Sequence, residues 1–401
     1  MSNNIYIINQ QYPPETAATG QIFSVIAKGL ASRGEDITVI CGMPFYSVGN
    51  GVGKDKPPRV EAVDGIKVRR LWNTSFPKSS FIGKAINQFT FMLSLLAFTL
   101  FKIKRDAVVM ATTAPPLGLV AAALGRMKAG YTLVACVQDL YPDALQAAGG
   151  MSSRNLLYRA LRGMMQWALN SCRRVVTIST DMAARLRMLY GLPGVVVIPN
   201  PSTGNVAPLP HGLHKERHGF ADKLVAQYSG NFGLAHEYQT LLSTMRLLRD
   251  NEGVVFHIAG GGENFKKLEK EAEGLPNAVF EGFAPLDELS ERLSVADISL
   301  VIFDAEFRDI LLPSKYVGIL ASGRATLLIS GAESDISRDI IRADAGKFFG
   351  HGQAAMIAGE LARLAEHMSE VRRMGRNARR LYEEKYTDDI VIDKYYNALR
   401  S

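Results

Sequence analysis

Short apolar runs separated by helix-length amphipathic stretches occur twice in this chain, on either side of a proline-rich break. This double alternation limits the fold more than any other feature. The first series is Ile5–Asn9, Ile37–Gly42, Ala107–Ala111, Thr132–Gln138, Val175–Ser179 and Val195–Ile198. Between its first two members, Gln21–Arg33 places Ile22, Val25, Ile26 and Leu30 on one helical face, and Gly34 ends it. Strand, helix, strand within so few residues implies a parallel sheet. Pro199–Gly219 then loses all hydrophobic period and carries Pro199, Pro201, Pro208 and Pro210. The pattern restarts with Leu224–Ser229, Val254–Ala259, Val279–Gly282, Asp297–Ile302, Thr326–Ile329 and Gly346–Phe349. Long amphipathic helices over 353–386 follow, and a last helix, Asp389–Leu399, is expected to cross back onto the first half. The expected class is α/β, two doubly wound Rossmann-like domains at 1–198 and 220–386, a linker at 199–219 and a returning helix at 387–401. A length of 401 residues suits two such cores.

With 47% hydrophobic and 21% charged residues, the composition excludes a disordered chain. A formal net charge of +7 points to anionic partners. Cys41, Cys136 and Cys172 lack the spacing of a zinc site or a disulfide framework. The start reads directly into a strand, so no secretory signal is expected. The longest apolar run, Phe89–Phe101, has thirteen residues, short of the ~20 that span a bilayer. These features together place the chain in the cytoplasm as an expectation. Around that run, Lys84, Lys102, Lys104 and Arg105 occur without an acidic residue in 81–105. Arg154, Arg159, Arg162, Arg173 and Arg174 interleave with Leu157, Tyr158, Met165 and Trp167. Part of this is core. The rest suits a peripheral surface on an anionic membrane, and no nucleic-acid recognition motif competes with it.

Ligands of parallel sheets bind beyond the carboxyl ends of strands. Three polar loops stand there: Gln10–Gly20 with Glu15, Thr16, Thr19 and Gly20; Thr112–Pro116 with Thr113; and Asp139–Asp143. The first has eleven residues where a plain connection takes ~2–6. Asp139 is the acid/base or hydroxyl-binding candidate, and Asp143 the better cap for a helix at Ala144–Ala148. Gly49–Asp55 imitates a P-loop but has Val48 in place of its first glycine and Asp55 in place of Ser/Thr. His211, His214 and His218 have metal-like spacing without supporting carboxylates, and no metal is expected.

In the second half, Gly230–Gly233 and Gly260–Gly262 each follow a buried strand, where glycine lets backbone N–H groups approach a pyrophosphate. Leu311–Ile329 reads as a Pro-started helix, a Gly-Arg break and a strand. Its Lys315 opposes the helix dipole, which fits either a solvated side chain or a cation awaiting a phosphate. With Arg324 beside it, a diphosphate site is expected.

The order YPPETAATG (12–20), TTAPP (112–116), QDLYPDAL (138–145), VIPNP (197–201), YSGNFGLAHEYQTLL (228–242), HIAGGGE (257–263), FEGF (280–283) and LPSKYVGILASG (312–323) resembles glycosyltransferase family 4 nearly end to end. It is most similar to the WbuB/WcaI-like branch, which builds bacterial O-antigen and exopolysaccharide repeat units. The resemblance implies a GT-B fold with facing domains, a metal-independent hexosyl transfer with retention, and no cofactor. The donor implied is a UDP- or GDP-linked sugar of fucosyl or N-acetylfucosaminyl type, and the acceptor a polyprenyl-diphosphate-linked saccharide at the inner membrane face. It implies Lys315 and Asp139 at the reaction. The donor set would be Gly20, Gly230, Asn231, Gly233, His236, Gly260, Gly261, Glu281, Gly282, Phe283, Pro313 and Ser314, with Glu281–Phe283 along the base. Glu15, Thr16, Thr19 and Thr113 would meet the acceptor. The chain departs from the family where Ile310 and Gly318 replace a Glu pair, where Asn231 and His236 replace an Arg/Lys pair, and where Ala325 replaces a Pro. A sugar-nucleotide epimerase or an inactive binding protein are the alternative readings.

Overall fold

The computed structural model describes residues 4–15, 17–44, 57–76, 81–147, 149–204, 206–233, 236–310 and 312–400. Thr16, Leu311 and the Gly49–Asp55 stretch lie outside the described residues. The chain forms two compact units, 1–201 with 388–401, and 202–387.

The first unit contains β1 (Asn4–Ile8), α1 (Ala18–Ser32), β2 (Asp36–Gly42), β3 (Val60–Val63), β4 (Ile66–Leu71), α2 (Phe81–Phe101), β5 (Val108–Thr112), α3 (Pro116–Ala129), β6 (Thr132–Val137), α4 (Asp143–Ala147), α5 (Leu156–Asn170), β7 (Arg174–Thr177), α6 (Thr180–Tyr190) and β8 (Val195–Val197). Among the described residues its sheet has eight strands in the order β3-β4-β2-β1-β5-β6-β7-β8. Only β3 runs antiparallel, joined to β4 by a turn at Asp64 and Gly65, both with positive φ. Ile5, Ile7 and Ile8 of β1 are buried on both faces, as a central parallel strand requires. The order reverses between β1 and β5, whose carboxyl ends lead into the Gln10–Gly20 and Thr112–Pro116 stretches.

Helix α2 corrects the thirteen-residue limit set by the apolar run. Asn87 and Gln88 interrupt the run but not the helix, which has 21 residues and is about 31 Å long. By length and composition Ile82–Phe101 could cross a membrane. One face is nevertheless committed to the unit: Phe91, Leu95 and Phe98 are buried, and Asn87 exchanges hydrogen bonds with the Phe76 backbone. Gly125 of α3 lets the two helices touch, since a Cβ there would lie 2.4 Å from Thr99. The opposite face exposes Ile82, Ile86, Phe89, Leu93 and Phe101.

The second unit contains β9 (Leu224–Asn231), α7 (Gln239–Leu247), β10 (Val254–Gly261), α8 (Glu263–Glu271), β11 (Ala278–Glu281), α9 (Leu289–Ser294), β12 (Ile298–Phe303), α10 (Lys315–Ala321), β13 (Ala325–Ser330), α11 (Asp335–Arg342), β14 (Gly346–Phe349), α12 (Ala354–Glu366) and α13 (Met368–Lys385). All its pairs are parallel, in the order β11-β10-β9-β12-β13-β14, with the reversal between β9 and β12. Helix α14 (Asp388–Arg400) belongs to the first unit. There Ile392 fills the space that Gly29 leaves open, and Arg33–Asp393 and Arg400–Glu35 pair at 2.7 Å.

Most of the stretch read as a linker packs on the second unit. Val206 joins Leu293 and Ala321, His214 Nδ1 meets Ser294 Oγ at 2.6 Å, and Lys215 pairs with buried Asp297 at 2.8 Å. Proline density marked irregular backbone correctly, but irregular backbone can be fastened by side chains. Asp143 is likewise no cap: it is the first residue of α4, buried, and bound to Arg185 at 2.8 Å. Ser179 does cap α6, accepting the Met182 N–H.

Candidate active site

In the second unit the site grows from the carboxyl end of β9. Gly260 of β10 sits opposite Gly230 with φ +143°, and a Cβ on it would stand 2.0 Å from the Gly230 carbonyl. Gly262 has the same constraint, with a Cβ position 2.6 Å from the Phe232 carbonyl. That carbonyl accepts the N–H groups of Asn264 and Phe265, the free donors at the start of α8. Glycine at 260 and 262 is therefore required by packing, and the Asn264 and Phe265 amides at the start of α8 are already taken. Gly230 differs. A side chain there would point to Lys315, with its Cβ 3.6 Å from Nζ, so the glycine keeps the approach to that cation open.

Lys315 opens α10, one residue after Ser314, while Pro313 stands outside the helix and accepts the Tyr316 N–H. Proline thus does not start this helix, contrary to the reading of Leu311–Ile329. The Lys315 ammonium is buried, has no hydrogen-bond partner among the described residues, and lies 3.6 Å from the Tyr228 ring centroid. Burial pushes its pKa down to about 7. An unpaired buried charge is costly, and in a native structure it demands an explanation. His236 lies against Tyr228 and Phe232 with Nδ1 3.1 Å from the Gly233 carbonyl. Burial first, and Lys315 second, lower its pKa to about 4, so its ring is neutral. Nδ1 carries the proton donated to Gly233, which leaves Nε2 as an acceptor. Asn264 holds the His236 carbonyl, Tyr228 donates to the Asn231 carbonyl at 2.8 Å, and the Asn231 side chain is exposed.

Arg324, expected beside Lys315 at a diphosphate, is buried elsewhere. Its Nη2 donates to the carbonyls of Leu209, Pro210 and Ser294, so it clamps the former linker. Glu281, expected along the base, has its carboxylate committed to neighbouring side chains. Its carboxylate contacts Arg292, His218 Nδ1 at 3.0 Å and His257 Nε2 at 3.2 Å. His218, His257 and Glu281 have the spacing of metal ligands, yet the Arg292 guanidinium already supplies the cation that neutralises Glu281. The linker histidines go to different partners, His214 to Ser294 and His218 to this cluster. Gly282 is exposed, and Phe283, 66% exposed, lays its ring against Gly261. Ile310 and Gly318 are both buried and offer no polar side chain.

In the first unit, Asp139 follows β6, partly buried, and burial pushes its carboxyl up to about 6. Thr113, expected at the acceptor, is a brace. Its hydroxyl donates to the Asp139 carbonyl at 3.0 Å and accepts the Gln138 N–H at 3.1 Å. Glu15 is 1% exposed, and its carbonyl accepts from Gln21. Thr19 donates to Gln11 Oε1 at 2.9 Å. Gly20 lies inside α1, not in the loop, and without a side chain it lets the Gln11 backbone pass within van der Waals reach. Three residues of this rim were given no role by the sequence reading. Buried Arg70 donates to the Pro13 carbonyl at 2.7 Å and pairs with Glu61, which pins the glutamate loop. Gln138 and Asn200 exchange amide hydrogen bonds at 3.1 and 2.8 Å. The Ile66–Leu71 alternation could have exposed the strand that carries Arg70.

Two Rossmann-like units with this strand order and a C-terminal helix returning to the first are the architecture of the GT-B fold. Sucrose-phosphate synthase from Thermosynechococcus elongatus superposes over 99% of this chain and 98% of its own, with TM-score 0.78 at 15% identity. Anabaena HepE, solved with UDP and glucose, does so over 99% of both chains, with TM-score 0.70 at 13% identity. Residues 18–201 match the glycosyl transferase 4-like domain. WbjE of Pseudomonas aeruginosa, named as a glycosyltransferase, is 26% identical over 75% of this chain and 76% of its own. WcaI of Escherichia coli K12, named as a colanic acid biosynthesis glycosyl transferase, is 26% identical over 83% and 84%. Over residues 18–201 the chain is similar to the glycosyl transferase 4-like domain and over most of its length to WbjE and WcaI, which together support a glycosyltransferase.

Proposed function

We propose that this glycosyltransferase moves a sugar, of fucosyl or N-acetylfucosaminyl type, from a UDP- or GDP-linked donor to a polyprenyl-diphosphate-linked saccharide, with retention and without a metal, during surface polysaccharide assembly. The single observation that carries the reading is the Lys315 ammonium, buried and unpaired beside Gly230. A departing nucleoside diphosphate gains charge as its bond to the sugar breaks, and a preorganised cation stabilises that charge most where water is excluded. In a front-face transfer the sugar C1–O bond to the β-phosphate breaks while the acceptor oxygen bonds C1. The acceptor proton passes to the departing phosphate, so no protein nucleophile is required. Asp139 would hold the acceptor hydroxyl. The name of WcaI supports a polysaccharide product, and the HepE complex with UDP-glucose supports a nucleotide-sugar donor.

The same reading puts the protein at the cytoplasmic membrane face as a peripheral enzyme. Helix α3 packs between α2 and α5, and none of the three contains an acidic residue. Exposed Phe89 and Leu93 of α2, Met127 of α3, and Leu156 and Leu157 of α5 stand among Lys84, Lys128 and Arg159, a composition suited to anionic headgroups.

The test is a panel of UDP- and GDP-sugars incubated with polyprenyl-diphosphate saccharides, with and without EDTA, the product anomer being read by NMR. Transfer with retention in EDTA supports the proposal. An isomerised donor would point to an epimerase, and no conversion across the panel to a binding protein. Lys315→Ala should lower turnover more than ~100-fold, the scale of losing a principal transition-state donor.

A further inference from the structure

Among the described residues the buried Lys315 ammonium has no hydrogen-bond acceptor, and what faces it is the ring of Tyr228 at 3.6 Å. A four-carbon side chain with rotatable donors has no fixed position of its own. The negative face of an aromatic ring supplies one, and its pull is strongest away from water. The Tyr228 ring is itself fixed. Phe232 packs against it at 4.4 Å between centroids, and His236 meets it edge-on at 6.0 Å. Its hydroxyl reaches past the cation to the Asn231 carbonyl at 2.8 Å. One buried side chain in β9 therefore touches the cation with its face and the glycine-loop backbone with its tip.

We propose that Tyr228 is the positioning residue of the donor phosphate site: its ring holds the Lys315 ammonium at Gly230 until a diphosphate takes it, and its hydroxyl fixes the loop beyond. The inference rests on Lys315 being the phosphate ligand. Tyr228 contributes no hydrogen bond to the donor. It holds the cation and the loop in register, so that neither has to be ordered when the nucleotide arrives.

The experiment titrates UDP and GDP into the unsubstituted protein and into Tyr228→Phe, Tyr228→Leu, Lys315→Met and the Tyr228→Leu/Lys315→Met double variant. Tyr228→Phe keeps the ring and should bind within about three-fold of the parent. Tyr228→Leu removes the ring and should weaken binding about ten-fold, the scale of a desolvated cation–π contact. Lys315→Met should weaken it further, and the double variant should be no weaker than Lys315→Met, because a residue that acts through another adds nothing once that other is gone. If Lys315→Met alone leaves affinity unchanged, or neither nucleotide binds the parent, the phosphate-ligand reading fails and this one fails with it. If Lys315→Met weakens binding but Tyr228→Leu does not, or the two losses multiply, Tyr228 is merely structural and Lys315 stands. A measurement independent of any Tyr228 variant uses ¹³C-lysine NMR of the parent. The Lys315 ε-methylene, assigned by its loss in Lys315→Met, should be shifted upfield by the ring current and should move on UDP addition. An unshifted resonance would overturn the proposal even if Tyr228→Leu failed to fold.

Discussion

Replacing Lys315 by methionine should stabilise the protein while removing its affinity for a nucleoside diphosphate. Methionine keeps the unbranched stem and removes the buried charge. Burial lowers the ammonium from the ordinary 10.5 to about 7. Between those values the unfolded chain binds a proton that the folded chain does not. The stability of the unsubstituted protein therefore rises with pH across that window, and the penalty is full below it. At pH 7 the shift corresponds to an upper bound of about 4 kcal/mol, falling below about 1 kcal/mol at pH 10. The Tyr228 ring returns ~0.5–2 kcal/mol of this to the charged form. A net gain of about 2 kcal/mol in Lys315→Met should raise the melting temperature of the second unit by roughly 4–8 °C at pH 7. Melting both proteins at pH 7 and pH 10, with and without UDP, is the assay. A methionine variant that is less stable at pH 7, or a gap that stays constant between the two pH values, would refute the claim that Lys315 is buried as an uncompensated cation. A stabilised variant that also loses the UDP-induced rise in melting temperature is what a strained functional group predicts.

Three further outcomes follow from the same geometry. kcat/KM should rise through about pH 6 as Asp139 ionises and fall above about pH 7 as Lys315 loses its proton, giving a narrow bell; a flat profile from pH 5 to 9 would count against both roles. Gly260→Ala should cost at least about 3 kcal/mol in urea unfolding, since the new Cβ overlaps the Gly230 carbonyl in a backbone conformation that only glycine adopts freely. The protein should bind anionic vesicles at low salt and release them at high salt, and Phe89→Glu/Leu93→Glu, both exposed on α2, should weaken that binding at least ten-fold with unchanged melting; undiminished binding would remove α2 from the contact.

What was legible in the sequence followed burial on both faces. A run such as Ala107–Ala111 has to be a parallel strand because nothing polar interrupts it. The edge hairpin β3–β4 was missed because half its residues face solvent, although Asp64-Gly65 between alternating residues is a turn signal. Glycine loops were harder. Gly230 and Gly260 look alike in sequence, and only their pairing across β9 and β10 shows that one leaves space for a cation while the other is demanded by its neighbour's carbonyl. Thr113 and Glu15 show the same limit, since polar residues in a loop at a strand end can serve the loop itself.

The comparison of Lys315 with Arg324 shows what separates a structural cation from a waiting one. Both flank the short helix α10 and both were drawn to the same diphosphate by charge alone. Arg324 is buried with three carbonyl acceptors along one guanidinium nitrogen, and its planar fork suits such fixed partners. Its burial lowers the pKa only to about 10, so it keeps its charge at any working pH and clamps residues 209–210 to the sheet. Lys315 has no acceptor among the described residues, a pKa near neutrality and a ring for support. Folding alone would favour replacing it by an apolar residue. An ammonium retained under those conditions, with a glycine clearing its approach, suits a charge that arrives from outside, and under the proposed function that charge is the donor diphosphate.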